Sequence, residues 1–210
     1  MKKIVVIALA ALLVSSCVVR YNSNEKVRPL PAANKEIGVK YFNTISMAGG
    51  VDVIYTQGTR NFVNFQGPES SLKHYAIDVK GETLRIAPRD NHFNVFGDDE
   101  DVKIIVSSTD LIEVKIAGGC DFMMNTPLDT DNLKLKVAGS GDIELENVIC
   151  DNISCDIAGS GEIKINNITT GKAQLSIAGS GDIKLKGKTE HFDSKIAGSG
   201  TVDTSELITN

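Results

Sequence analysis

One short phrase recurs along the chain at nearly constant spacing, and it restricts the fold more than any other feature of the sequence. Ile177-Ala178-Gly179-Ser180-Gly181-Asp182-Ile183-Lys184-Leu185 is preceded by Ile157-Ala158-Gly159-Ser160-Gly161-Glu162-Ile163 and Val137-Ala138-Gly139-Ser140-Gly141-Asp142-Ile143. Ile116-Ala117-Gly118-Gly119-Cys120-Asp121-Phe122 is a degenerate copy, and Ile196-Ala197-Gly198-Ser199-Gly200-Thr201-Val202 is the last. The first glycines, Gly118, Gly139, Gly159, Gly179 and Gly198, are separated by 21, 20, 20 and 19 residues. A period near 20 belongs to solenoids, in which each unit buries its apolar face only by stacking on its neighbours.

The residues around the glycines alternate with strand period. Leu133/Leu135/Val137, Ile153/Cys155/Ile157 and Ala173/Leu175/Ile177 precede the corners at every second position, and Ile143/Leu145, Ile163/Ile165 and Ile183/Leu185 follow them, with polar residues between. Each unit therefore reads as strand, tight Gly-Ser-Gly corner, strand, and a looser polar corner such as 166–172. The expected fold is all-β: a parallel β-helix, or β-solenoid, of about 20 residues per coil with two main stacked sheets over a thin aliphatic core. The corner glycines tolerate positive φ, and corners stacked about 4.8 Å apart leave no room for Cβ atoms. Cys120 and Val51 replace the second glycine in two copies, so that position answers to space rather than to dihedral sign.

The chain opens with Met1-Lys2-Lys3, an apolar run from Ile4 to Val14, and Ser15-Ser16-Cys17. A basic start, a short apolar run and small residues before the cut describe an export signal over 1–16. Val14-Ser15-Ser16-Cys17 resembles the bacterial lipobox, which makes Cys17 the lipidated N-terminus and the membrane, through that lipid, the first partner. Loss of Lys2 and Lys3 takes the formal charge from −5 to −7, and the acidic balance gives no footprint for nucleic acid. Residues 17–36, with Pro29 and Pro31 and no periodicity, read as a flexible tether. Residues 37–110 read as irregular coils and an N-terminal cap. Within them Met47-Ala48-Gly49-Gly50-Val51-Asp52-Val53 matches the repeat, and 68–74 forms one helical turn. Residues 111–210 are the regular solenoid.

Four groups of residues invite a chemical reading. Ser140, Ser160, Ser180 and Ser199 lie between glycines, but His74, His92 and His191 are out of step with them, so a hydroxyl ladder bonded to turn backbone is expected rather than nucleophiles. Asp52, Asp121, Asp142, Glu162 and Asp182 form a second column, either a calcium ladder or a solvated one. The spacing favours the solvated column, with Lys164 and Lys184 as partial compensation. The loop 88–101 carries His92, Phe93 and Phe96, which either face a ligand or tuck under the loop. Cys155 has core parity, and a Cys150–Cys155 bridge is the alternative.

Ile45-Ser46-Met47-Ala48-Gly49, Leu84-Arg85-Ile86, 111–118 and the Ala-Gly-Ser-Gly-Asp/Glu copies resemble the head GIN domain (DUF2807) family of auto-transporter adhesins among Bacteroidota lipoproteins, over about 37–202. The resemblance implies a right-handed, pectin-lyase-like β-helix with no catalytic residues and no cofactor. It further implies a role in adhesion to a host-surface or glycan ligand, and a homo-oligomer, a trimer by the adhesin analogy. Location would be the outer membrane, at the cell surface or on its periplasmic face. The alternatives are an envelope-maintenance lipoprotein and a polysaccharide-binding or polysaccharide-cleaving β-helix.

Overall fold

The computed structural model describes residues 32–89 and 102–209. Cys17, His92, Phe93 and Phe96 lie outside the described residues. The chain winds into a β-solenoid of about five turns, about 20 residues apart. After the corner, β9 (Asp121–Asp129), the first part of β11 (Asp142–Gly159), β12 (Glu162–Gly179) and β13 (Asp182–Gly198) pair in parallel on one face. Before the corner, β8 (Glu113–Gly118), β10 (Asn132–Gly139) and the second parts of β11, β12 and β13 form the opposite face.

The stretch expected to be only a loose corner is a third ladder. Asn147–Cys150 pairs in register with Asn167–Thr170, and β15 (Leu207–Thr209) with Gly187–Thr189. Each coil thus has three strand segments rather than two. Variation in coil length is absorbed between the second and third of these: the register shifts at Leu145/Asn147 and again at Ile165/Ile168, where Gly187 of the shorter last coil stands opposite Ile168.

Parallel in-register stacking places like residues over like. Ile116, Val137, Ile157 and Ile177 make one buried column, Phe122, Ile143, Ile163 and Ile183 a second, and Leu128, Val148 and Ile168 a third. These columns close one contiguous core. Outward residues lie on the other parity, where a one-residue slip would bring charges inward; that fixes the register.

The corner depends on close approach of main chains. Gly159 has φ 142° and stacks on Gly139, whose carbonyl oxygen accepts the Ser160 N–H at 2.8 Å. A Cβ on Gly159 would run into that same oxygen. The second corner glycine is different: Gly161 is not at positive φ, yet a Cβ there would strike the Gly141 carbonyl and come within 2.8 Å of Val137 Cγ1. Where Val51 and Cys120 replace it, their side chains are buried in the core.

The N-terminal end is closed by a change of strand direction. On one face β3 (Asp52–Gln57) pairs in parallel with β7 (Lys103–Ser108), and β7 is then antiparallel to β4 (Phe62–Pro68), itself antiparallel to β1 (Ala32–Ile37). On the opposite face β2 (Thr44–Gly49) pairs with β6 (Thr83–Pro88), which is antiparallel to β5 (Tyr75–Lys80). The helical turn falls at α1 (Glu69–Leu72). Residues 32–36, expected in the tether, belong to β1, because antiparallel pairing with β4 satisfies their main-chain groups. The bulkier side chains collect at this end, where Tyr55 and Phe122 stack with centroids 5.9 Å apart. The Tyr55 hydroxyl bonds Ser108 Oγ at 2.9 Å, and burial pushes its pKa up to about 12.

Gly159→Ala is expected to cost ~3 kcal/mol, since it adds positive-φ strain to overpacking against main chain. Gly119→Ala, where φ is not positive and no atom lies within 4 Å of the added carbon, should change stability by less than about 0.5 kcal/mol. Urea unfolding of both variants measures the difference; equal midpoints would remove close approach as the reason for the first glycine.

Candidate interaction surface

The predicted corner residues come together as vertical columns along one edge of the solenoid. Gly49, Gly118, Gly139, Gly159, Gly179 and Gly198 are in register, flanked by the outward Ala48, Ala117, Ala138, Ala158, Ala178 and Ala197. Gly141, Gly161, Gly181 and Gly200 follow. Ser140, Ser160, Ser180 and Ser199 are exposed between them. Their main-chain N–H groups donate to the glycine carbonyls of the coil below, as from Ser180 to Gly159 at 2.9 Å and from Ser199 to Gly179 at 2.9 Å. Their hydroxyls make no hydrogen bond among the described residues, so the expected hydroxyl ladder is not formed. The backbone already satisfies the corner, leaving the hydroxyls to water.

The carboxylate column next to it is structural. Asp142 Oδ1 accepts the Glu162 N–H at 2.8 Å, Asp121 Oδ1 accepts the Asp142 N–H at 3.3 Å, and Asp182 Oδ1 accepts the Thr201 N–H at 3.0 Å. Each of these three carboxylates reaches up one coil and holds the first donor of the next strand, whereas Asp52 and Glu162 make no such bond among the described residues. Among the described residues no group of three or more His, Cys, Asp or Glu side chains is placed to hold a metal ion. Burial raises the Asp121 pKa against the bond from Asp142, and the neighbouring Asp52 and Asp142 charges raise it further.

A second hydroxyl column, which the sequence reading missed, braces the remaining corner. Thr170 Oγ1 donates to the Lys172 carbonyl at 3.3 Å, Thr189 Oγ1 to the His191 carbonyl at 2.8 Å and Ser108 Oγ to the Asp110 carbonyl at 2.6 Å. Cys150 occupies the same column, with Sγ 3.5 Å from Thr170 Oγ1. That placement explains the cysteine pair: Cys150 and Cys155 are both buried and free, and no bridge joins them. Recurrence of Thr130, Cys150, Thr170 and Thr189 near the 20-residue period is the signal that would have found the column, although the buried Thr130 hydroxyl has no hydrogen-bond partner among the described residues.

Beside this corner lies an open polar groove lined by Gln57, Thr109, Asp110, Ile112 and 129–132. Gln57 straps it: its Nε2 donates to the Thr109 and Asp129 carbonyls at 3.2 and 2.9 Å, and its Oε1 accepts the Asp129 N–H at 2.9 Å. On the outer faces, charges pair between coils, Lys164 with Glu144, Lys184 with Asp203, Lys186 with Glu206 and Lys136 with Glu113, while Lys115 pairs with Glu113 along their own strand. Burial works to raise the Glu113 pKa, but the two lysines outweigh it and hold the group below its ordinary value.

The model of a family described as "Putative auto-transporter adhesin, head GIN domain" matches residues 41–170 and 146–210. The chain belongs to that family. Solved structures agree on the fold. A protein from Parabacteroides distasonis described as a putative lipid binding protein is 25% identical, with a TM-score of 0.76 over 84% of this chain and 74% of its own. A putative adhesin from Parabacteroides merdae is 20% identical, with a TM-score of 0.64 over 84% and 96%. A putative adhesin from Bacteroides fragilis is 22% identical, with a TM-score of 0.54 over 84% and 97%. No curated protein matches the chain.

Two outcomes follow from these columns. Calcium or EDTA should leave the melting temperature unchanged within about 1 °C, because the carboxylates already serve main-chain donors; a calcium-dependent rise of several degrees would overturn that role. Glu113→Gln should cost ~1 kcal/mol near neutral pH. A carboxylate with a lowered folded pKa contributes stability above its unfolded pKa and loses it as pH falls through the folded one, so the deficit should vanish in acid. Urea midpoints of both proteins across that range measure it.

Proposed function

We propose that this head GIN domain protein is an exported, non-enzymatic envelope protein that presents its solenoid surface as an adhesive platform. The observation that carries the reading is the family match over most of the chain, together with the form of the outer surface. In the regular coils the outward alanine, glycine and serine repeat in register along one edge of the stack. Such a surface offers the same local chemistry at each coil and suits weak, repeated contact with a polymeric or repetitive partner, where the gain comes from many contacts acting together. A lipid on Cys17 would hold the domain at the outer membrane, with the intervening residues setting its reach. A host-surface or glycan ligand is the corresponding partner class.

Attachment and topology test this together. With an epitope tag after Asn210, antibody binding to intact cells is expected, as is loss of attachment to mucin- or matrix-coated surfaces in a deletion strain. A tag shielded until the outer membrane is breached, with attachment unchanged, would exclude the adhesive reading and leave envelope maintenance. Cys17→Ser should release the domain from the membrane fraction.

A further inference from the structure

Among the described residues, the last coil is covered on two of its three faces and open on the other. β14 (Thr201–Asp203) pairs with Asp182–Lys184 of β13, and β15 pairs with Gly187–Thr189, whereas no described residue pairs with the outer edge of His191–Gly198. Ile196 is 47% exposed, against 1% for Ile177 directly beneath it. On the same inward parity Ser194 stands above Leu175, and Phe192, half-buried, above Ala173. A polar residue at the centre of the otherwise apolar inward row Phe192–Ser194–Ile196 marks this strand as a sheet end rather than the floor of another coil of the same kind.

The directions of its main-chain groups follow from the ladder. The Lys134 N–H donates back to the Ile112 carbonyl. In a parallel pair a residue's N–H and C=O point to the same neighbour, and the next residue's point to the other. Lys134 is in register with Ser154, Gln174 and Asp193, so Asp193 and Lys195 bond back to β12. Phe192, Ser194 and Ile196 therefore turn their N–H and C=O groups to the open edge.

We propose that this edge is a homodimer interface, in which His191–Gly198 of two copies pair antiparallel about a two-fold axis passing between their Ser194 residues. That register sets Phe192 of each copy opposite Ile196 of the other on the inward side, with Ser194 opposite itself. All three are residues whose main-chain groups are free, so they form the hydrogen-bonded pairs. Asp193 falls opposite Lys195 of the other copy at the intervening positions, where side chains approach most closely, and it does so twice by symmetry. Neither Asp193 nor Lys195 has an ion-pair partner among the described residues. The neighbouring symmetric registers are disfavoured: centring on Asp193 opposes two aspartates, and centring on Lys195 opposes two lysines. The strand is thus self-complementary in one register, as an isologous interface requires. Because β14 and β15 stand one strand beyond this edge on the other faces, the two solenoids meet at an angle, joined along the open face and splayed behind it.

Sedimentation of the mature chain is expected to show a concentration-dependent dimer. Lys195→Asp, which opposes aspartate to aspartate twice, should weaken it about tenfold or more, and the swap Asp193→Lys with Lys195→Asp should restore it. Ser194→Cys should form an inter-chain disulfide under mild oxidation, while Lys188→Cys, exposed but off the axis, and the unaltered chain should not. A chain monomeric to millimolar concentration would overturn the proposal. So would a dimer indifferent to Lys195→Asp, a swap that fails to restore it in a protein with unchanged circular dichroism, or equal cross-linking at positions 188 and 194.

Discussion

The structure depends on how closely one main-chain corner approaches the next. Each glycine carbonyl along the corner column accepts an N–H from the coil above, and the glycine of that coil lies against the same oxygen. A side chain at that point would push the coils apart, and with them the ladders on all three faces, whose hydrogen bonds require strands about 4.8 Å apart. The in-register core columns are a consequence of that spacing. Once the corners stack, every inward residue lies over its counterpart, and in the regular coils aliphatic side chains fill most of the interior.

A parallel stack brings like groups together, which is favourable for hydrocarbon and unfavourable for charge. The chain answers in two ways. Near the corner, the carboxylates of Asp121, Asp142 and Asp182 take on main-chain donors of the following coil, so their negative charge is used to hold the stack. Farther along the faces, opposite charges pair across coils at particular positions, Glu144 beneath Lys164 and Lys184 beneath Asp203, although Lys164 and Lys184 themselves lie over one another. The same logic governs the amides: Asn152 bonds Asn132 at 3.0 Å and Asn167 bonds Asn147 at 3.1 Å, each across one coil. Surface pairs of this kind contribute little individually. Their larger effect is to remove the repulsion that an unvaried column would carry.

The ends of a solenoid cannot use its own repeat to protect themselves. At the N-terminal end, antiparallel strands and aromatic side chains close both large faces. At the other end, β14 and β15 cover two faces, and no described residue pairs with the third. Exposed strand edges invite pairing, and charged residues on them limit which pairings occur. Asp193 and Lys195 occupy that edge, so the partner it admits is governed by charge order as much as by the free main-chain groups.

The sequence by itself determined the repeat, its strand period and the need for glycine at the corner, because each is a local demand: alternation decides which side chains point in, and Gly159 cannot be replaced without strain at its own φ. It also placed the acidic column and the core parity of Cys155. The tertiary structure alone decided what those columns bond. That Asp142 holds the Glu162 N–H, that Thr170 braces its own corner while Ser160 does not, and that Cys150 lies in the threonine column rather than against Cys155 all depend on stacking between coils 20 residues apart. The third ladder and the Gln57 strap were hidden for the same reason. Their partners lie far away in sequence, and only the winding of the chain brings their main-chain groups within hydrogen-bonding distance.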